Sequence, residues 1–155
     1  MLSWLDLMAL FALSTAVALG IRQGIPFALA VIPALLLYLL LSPIFPWVVL
    51  PILALALGIA MASLTHYIPL PRLSPVLEAA LGGLGGFFWG VLLALTIWVS
   101  FPSEYVASSG VLRYPSEQLP VTIRDGIIGS PFARPLFGWA SDNTILKAAL
   151  LPHNK

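Results

Sequence analysis

The sequence predicts an all-α polytopic membrane protein, with about four transmembrane helices and a C-terminal segment of short amphipathic helices. Three observations predict it. Residues 23–71 run for 49 positions without an Asp, Glu, Lys or Arg, and residues 79–103 for another 25. Over 155 residues the chain is 60% hydrophobic and 8% charged, with a mean hydropathy of +1.02, against about 25% charged in soluble domains. A hydrocarbon core about 30 Å thick takes roughly 20 apolar residues per helix, and the two charge-free runs plus the apolar start of the chain supply about four such lengths.

The first span is read at residues 4–21, opened by an interfacial Trp4 with Asp6 half a turn later and closed by Arg22. Met1 to Leu5 holds no Lys or Arg, so this stretch lacks the basic start of a secretory signal and reads as a span. The second, residues 25–41, has Pro26 in its first turn, where a missing N–H costs nothing, and Pro33 as a point of kinking. The third, residues 44–68, follows after almost no loop and makes a tight hairpin with the second. Pro69, Pro71, Arg72 and Pro75 break the helix into a polar turn, and the fourth span, residues 78–101, opens on Glu78, an acid favoured at a helix N-terminus. Residues 1–101 thus form a transmembrane domain.

The tail, residues 102–155, holds four of the six acids and five of the seven Lys and Arg residues, yet stays dotted with large apolar groups. Leu119, Ile123 and Ile127 recur every four residues opposite Arg124 and Asp125, with Ser116 as a candidate cap and Pro120 limiting the first turn. Residues 131–139 and 145–151 are further short apolar pieces, the second preceded by cap-forming Ser141, Asp142 and Asn143. The expected structure is a set of short amphipathic helices lying on the membrane face or over the end of the bundle. Arg22 and Arg72 lie in the first and third loops, while the second has no Lys or Arg and the tail has only Arg113 within the counted distance of the membrane, so the positive-inside rule, by two against one plus the terminal amine, puts those two turns in the cytoplasm and both termini outside.

Several functions are excluded by what the chain lacks. A net charge of +1 offers no basic stripe for nucleic acid. With no cysteine and two histidines there is no disulfide or thiolate chemistry and no metal-ligand set. No P-loop or strand-borne GxGxxG points to a cofactor, and none is expected. An intramembrane protease needs a Ser–His pair, two membrane aspartates or HExxH, and none is present.

Gly82, Gly86 and Gly90 line one helical stripe, and Gly20 and Gly24 repeat the spacing across Arg22. Spans pack closest on such faces because helices in lipid associate by van der Waals contact rather than the hydrophobic effect. The stripe serves either another span of the same chain or a partner helix, the first being favoured because four spans must use such faces themselves. Gly20 and Gly24 are expected to let the chain turn. Asp6 is the acid nearest membrane depth, where an ionisable group marks a proton or ion site by default; its place near the chain start favours an interfacial helix-start acid. Glu78 reads the same way. His66 beside Tyr67 is expected as a snorkelling interfacial group, with a pH switch as the functional alternative.

The run Glu78-Ala79-Ala80-Leu81-Gly82, followed by Gly86 and Gly90, resembles a D-R-x-L-G-x-x-x-G-x-x-x-G pattern. Trp4-Leu5-Asp6 opens the first apolar run, Gly20-Ile21-Arg22-Gln23-Gly24 ends it, and Ser130-Pro131 and Leu151-Pro152 punctuate the tail. In this order, over most of its length, the chain resembles the colicin V production protein (CvpA) family of bacterial inner-membrane proteins. It departs from the family at Glu78 for Asp, Ala79 for Arg and Trp89 for a second Arg, and in lacking the charged residues after Gly24, so any salt bridge of those arginines is lost. The resemblance implies four spans, an outer-face C-terminal segment, and a link to colicin V production or export and to envelope maintenance.

The leading expectation is a non-enzymatic bacterial inner-membrane protein, a scaffold or accessory that acts through helix packing in contact with lipid and other membrane proteins or further copies of itself. The competing expectation is a small oligomeric channel or transporter with Asp6, Glu78, Pro33 and Pro51 along its path. A third is a subunit of a larger membrane complex.

Overall fold

The computed structural model describes residues 2–67, 74–106 and 111–151. The turn carrying Pro69, Pro71 and Arg72 lies outside the described residues, as do Pro152 and the side chain of His66.

Local chemistry sets the helix ends. Helix α1 (Trp4–Gln23) starts at an N-cap Ser3 that forms a reciprocal capping box with Asp6. It ends at Gly24, whose φ of 71° and ψ of −149° suit a residue without a Cβ, so a single residue turns the chain into α2 (Ile25–Leu41). Helix α2 runs on through Pro33. The third span is shorter than residues 44–68: Pro46 is extended, a 3₁₀ turn covers Trp47–Val49, α3 proper is Leu50–Leu64, and a second 3₁₀ turn covers Thr65–Tyr67. Helix α4 (Pro75–Val99) begins three residues before Glu78, because proline is tolerated at the first helical position and Ser74 caps it by accepting from the Leu77 N–H.

Among the described residues, three helical segments are long and apolar enough to cross a membrane: Trp4–Gln23, Trp47–Leu64 and Pro75–Val99. At 1.5 Å per residue, the 17 residues of α2 reach about 26 Å, close to one hydrocarbon thickness. Large apolar side chains point outward along these helices, with Phe11 73%, Leu40 71% and Ile52 60% exposed. In water such a surface would aggregate; in lipid it is solvated. The chain is a helical membrane protein.

Helix α4 is the axis of the bundle, packed on α1, α2 and α3, and its contact with α1 is by far the most extensive. One buried cluster fills the middle of the bundle with Phe27, Val31, Tyr38, Leu57, Trp89 and Leu93. Another joins the start of α1 and the end of α4 to the tail through Leu5, Trp98, Val99, Ile127, Phe137 and Leu150.

The tail is a folded cap over that end of the bundle. It begins with an antiparallel hairpin that the sequence did not announce, β1 (Glu104–Val106) with β2 (Val111–Arg113), in which Glu104 faces Arg113. Helices α5 (Val121–Ile128), α6 (Ala133–Asp142) and α7 (Thr144–Leu150) follow. Ser116 does not cap α5. Its hydroxyl donates to Glu104 at 2.9 Å, and the helix starts after an extended Pro120. Asn143 caps α7, accepting from the N–H groups of Ile145 and Leu146.

Candidate functional site

Where the cap meets the bundle lies the most polar point of the interior. Asp6 is completely buried. Its Oδ2 accepts from the Ser3 backbone N–H at 2.8 Å and the Ser3 hydroxyl at 3.0 Å. Its Oδ1 accepts from the Trp98 indole Nε1 at 2.9 Å and from the Ser130 hydroxyl. A carboxylate offers about four acceptor positions, and four donors fill them. None of these donors is charged, and Asp6 forms no ion pair among the described residues. The carboxylate is held by hydrogen bonds and by the positive end of α1.

Each partner is itself positioned. Ser130 Oγ accepts from the backbone N–H of Phe132 at 3.2 Å and of Ala133 at 3.1 Å, satisfying donors at the start of α6. Phe132 packs on the Trp98 ring with centroids 5.3 Å apart. The Trp98 carbonyl accepts from the Tyr114 hydroxyl at 2.6 Å, and Tyr114 stacks on Phe137 at 3.9 Å. Burial raises the Tyr114 phenol well above its ordinary pKa. Trp4 adds a further pin, since its indole lies so close over Gly126 of α5 that a Cβ there would meet the Trp4 Nε1. This constellation latches the cap onto the bundle.

The glycine stripe lies inside the same chain. A Cβ on Gly82 would run into the carbonyl oxygen of Gly20, one on Gly20 into that of Gly82, and one on Gly86 into that of Ala16; Gly90 packs on Leu13. Gly20 therefore does more than turn the chain: it lets α1 and α4 touch backbone to backbone. The Cβ of Glu78 lies 3.4 Å from where a Cβ on Gly24 would stand.

Asp6 and Glu78 are not brought together. Glu78 is half-buried at the end of the bundle where α1 turns into α2, with exposed Arg22 at the same end. Asp6 lies at the other end of α1, about 27 Å away for 18 residues of helix. The sequence alone does not pair Trp98 and Ser130 with Asp6, nor Tyr114 with Trp98. The signal for Ser130 was local, a Ser before Pro131 and a helical run, whereas nothing near Trp98 marks it.

Other polar groups of the spans bond within their own helices: the hydroxyls of Ser14, Ser63 and Thr96 donate to Phe11, Ile59 and Leu93 carbonyls. Thr65 donates to the Ala62 carbonyl and to Gln23. Tyr38 Oη and Trp89 Nε1 are buried without a hydrogen-bond partner among the described residues. A groove of about 410 Å³ between α1 and α3, with Trp89 in its wall, is lined almost wholly by apolar side chains. Among the described residues no group of three or more His, Asp or Glu side chains is placed to hold a metal ion. Comparison with protein-family models, with curated proteins and with solved structures finds no match to this chain.

Proposed function

We propose that this chain is a non-enzymatic membrane scaffold or accessory protein, whose four-helix anchor holds the C-terminal cap in a fixed pose for other membrane proteins. The observation that carries the reading is the Asp6 latch. Its carboxylate is fully engaged by Ser3, Trp98 and Ser130, so it acts as a fastening between anchor and cap, with no acceptor position left over for a travelling ion or proton. The separation of Asp6 from Glu78 and the apolar character of the α1–α3 groove support the same choice over a channel. Because α1 and α4 consume the glycine stripe, the partner surface is assigned to the cap and the lipid-facing helices.

Membership of the CvpA family and the bacterial inner membrane as its site remain part of this proposal, as does an outer-face position of both termini.

The test is native mass spectrometry of protein extracted in mild detergent from its own membranes, comparing wild type with a Trp98→Phe/Ser130→Ala variant. A defined complex with other proteins that the variant loses supports the scaffold. A lone or homo-oligomeric wild type that conducts ions in proteoliposomes, with flux abolished by Asp6→Asn, replaces it with the channel.

A further inference from the structure

The cap carries a basic cleft whose arginines the latch does not use. Arg113 at the end of β2, Arg124 in α5 and Arg134 in α6 line one recess of about 320 Å³, which Glu117 and Asp125 also border. Arg113 is matched, at 2.7 Å from Glu117 and 3.9 Å from Glu104. Arg124 and Arg134 form no ion pair among the described residues, and Asp125 stays beyond ion-pair distance of both. Two guanidiniums from neighbouring helices thus border one recess unpaired, and with Glu117 engaged by Arg113 and Asp125 unpaired the lining keeps a net charge of +1.

The depth of the cleft narrows the chemistry. Tyr114, in its wall, donates to the carbonyl of Trp98, one residue before the end of α4. The cleft therefore lies beside the end of the fourth span, at the level of lipid headgroups. Its wall is apolar as well as basic, with Ile128 47% exposed there. Guanidinium is weakly hydrated and its planar fork matches two oxygens of a phosphate.

We propose that this cleft binds a phosphate group, Arg124 and Arg134 closing on its oxygens while Glu117 holds Arg113 beside them. The source favoured by its depth is the headgroup of an anionic phospholipid in the adjacent leaflet. The inference stands apart from the scaffold reading, since it concerns a lipid and not a protein partner.

The full chain is placed in nanodiscs containing equal parts of phosphatidylglycerol and phosphatidylethanolamine, and native mass spectrometry counts the lipids it retains. Wild type retains phosphatidylglycerol preferentially, and the preference falls about fivefold for each guanidinium removed in Arg124→Gln and Arg134→Gln. Arg22→Gln, at the other end of the bundle, leaves it unchanged. Arg134 is exposed, so its substitution keeps the cap folded, which near-ultraviolet circular dichroism confirms. In a second arm, inorganic phosphate is titrated calorimetrically into protein in zwitterionic micelles. Saturable binding that Arg134→Gln abolishes, without lipid preference, supports the phosphate site and assigns it to a soluble compound. A wild type with neither lipid preference nor phosphate binding overturns the proposal, as does a preference that survives both substitutions.

Discussion

The Ser130 hydroxyl donates to Oδ1 of Asp6 across 124 positions of sequence, and its oxygen also accepts from the first N–H groups of α6. One side chain therefore starts a tail helix and ties that helix to the first turn of the chain. Trp98 reaches the same carboxylate oxygen from the far end of α4, and its carbonyl accepts from Tyr114 of the cap, which makes the second tie. The cap is thus fastened to both the first and the last span.

Asp6→Asn should loosen this fastening, because an amide that keeps its oxygen toward Trp98 and Ser130 turns its NH₂ toward the Ser3 donors. A buried donor left without an acceptor costs about 1–3 kcal/mol. The expected outcome is a lower thermal midpoint in detergent and faster proteolysis within residues 100–120. Asp6→Leu, which orphans every donor, should be worse.

Trp98→Phe and Ser130→Ala each remove one donor from the same oxygen, so their effects should not add. A double-mutant cycle on thermal stability should return a coupling of about 0.5–3 kcal/mol. A coupling near zero would mean that the two residues do not share Asp6.

Two glycine substitutions should move stability in opposite directions. Gly86→Ala puts a methyl against the backbone of Ala16 and Val17, where neither side can yield, and should cost more than the 1–3 kcal/mol typical of overpacking. Gly138→Ala, inside α6 with nothing within 4 Å of the added Cβ, should stabilise by up to about 1 kcal/mol from helix propensity. Parallel thermal melts check both.

Tyr114→Phe keeps the stack on Phe137 and loses the bond to the Trp98 carbonyl, a loss of about 0.5–1.5 kcal/mol. Burial raises the Tyr114 phenol from its ordinary value of 10.0, so the folded state holds its proton more firmly than the unfolded one. The stability it contributes is fully present below pH 10 and declines as pH rises above that value, by at most about 1.4 kcal/mol per unit. The advantage of wild type over Tyr114→Phe in melts at pH 8 should therefore shrink at pH 11.

Much of the candidate site was legible as pieces. Asp6 stood out as an acid at the start of an apolar run, and the four-residue spacing of Gly82, Gly86 and Gly90 declared a packing face. The tail piece near Ile123 carried helical spacing, and the piece near Ile145 carried caps. What the pieces did not carry was their pairing. The three-residue strands β1 and β2 were too short for alternation to register, and Ser116 resembled a cap until Glu104 took its hydroxyl.

The sequence by itself determined that this chain lives in lipid, roughly where its spans lie and which faces have no side chains, because the cost of charge in hydrocarbon and the helical repeat act locally. The tertiary structure decided that Gly20 meets Gly82, that Asp6 is buried, and that Trp98 and Ser130 meet on its carboxylate. Those contacts join residues 62, 92 and 124 positions apart. They depend on the order in which three similarly apolar helices gather around α4, and interchangeable Leu, Ala and Val faces do not encode that order in any local pattern.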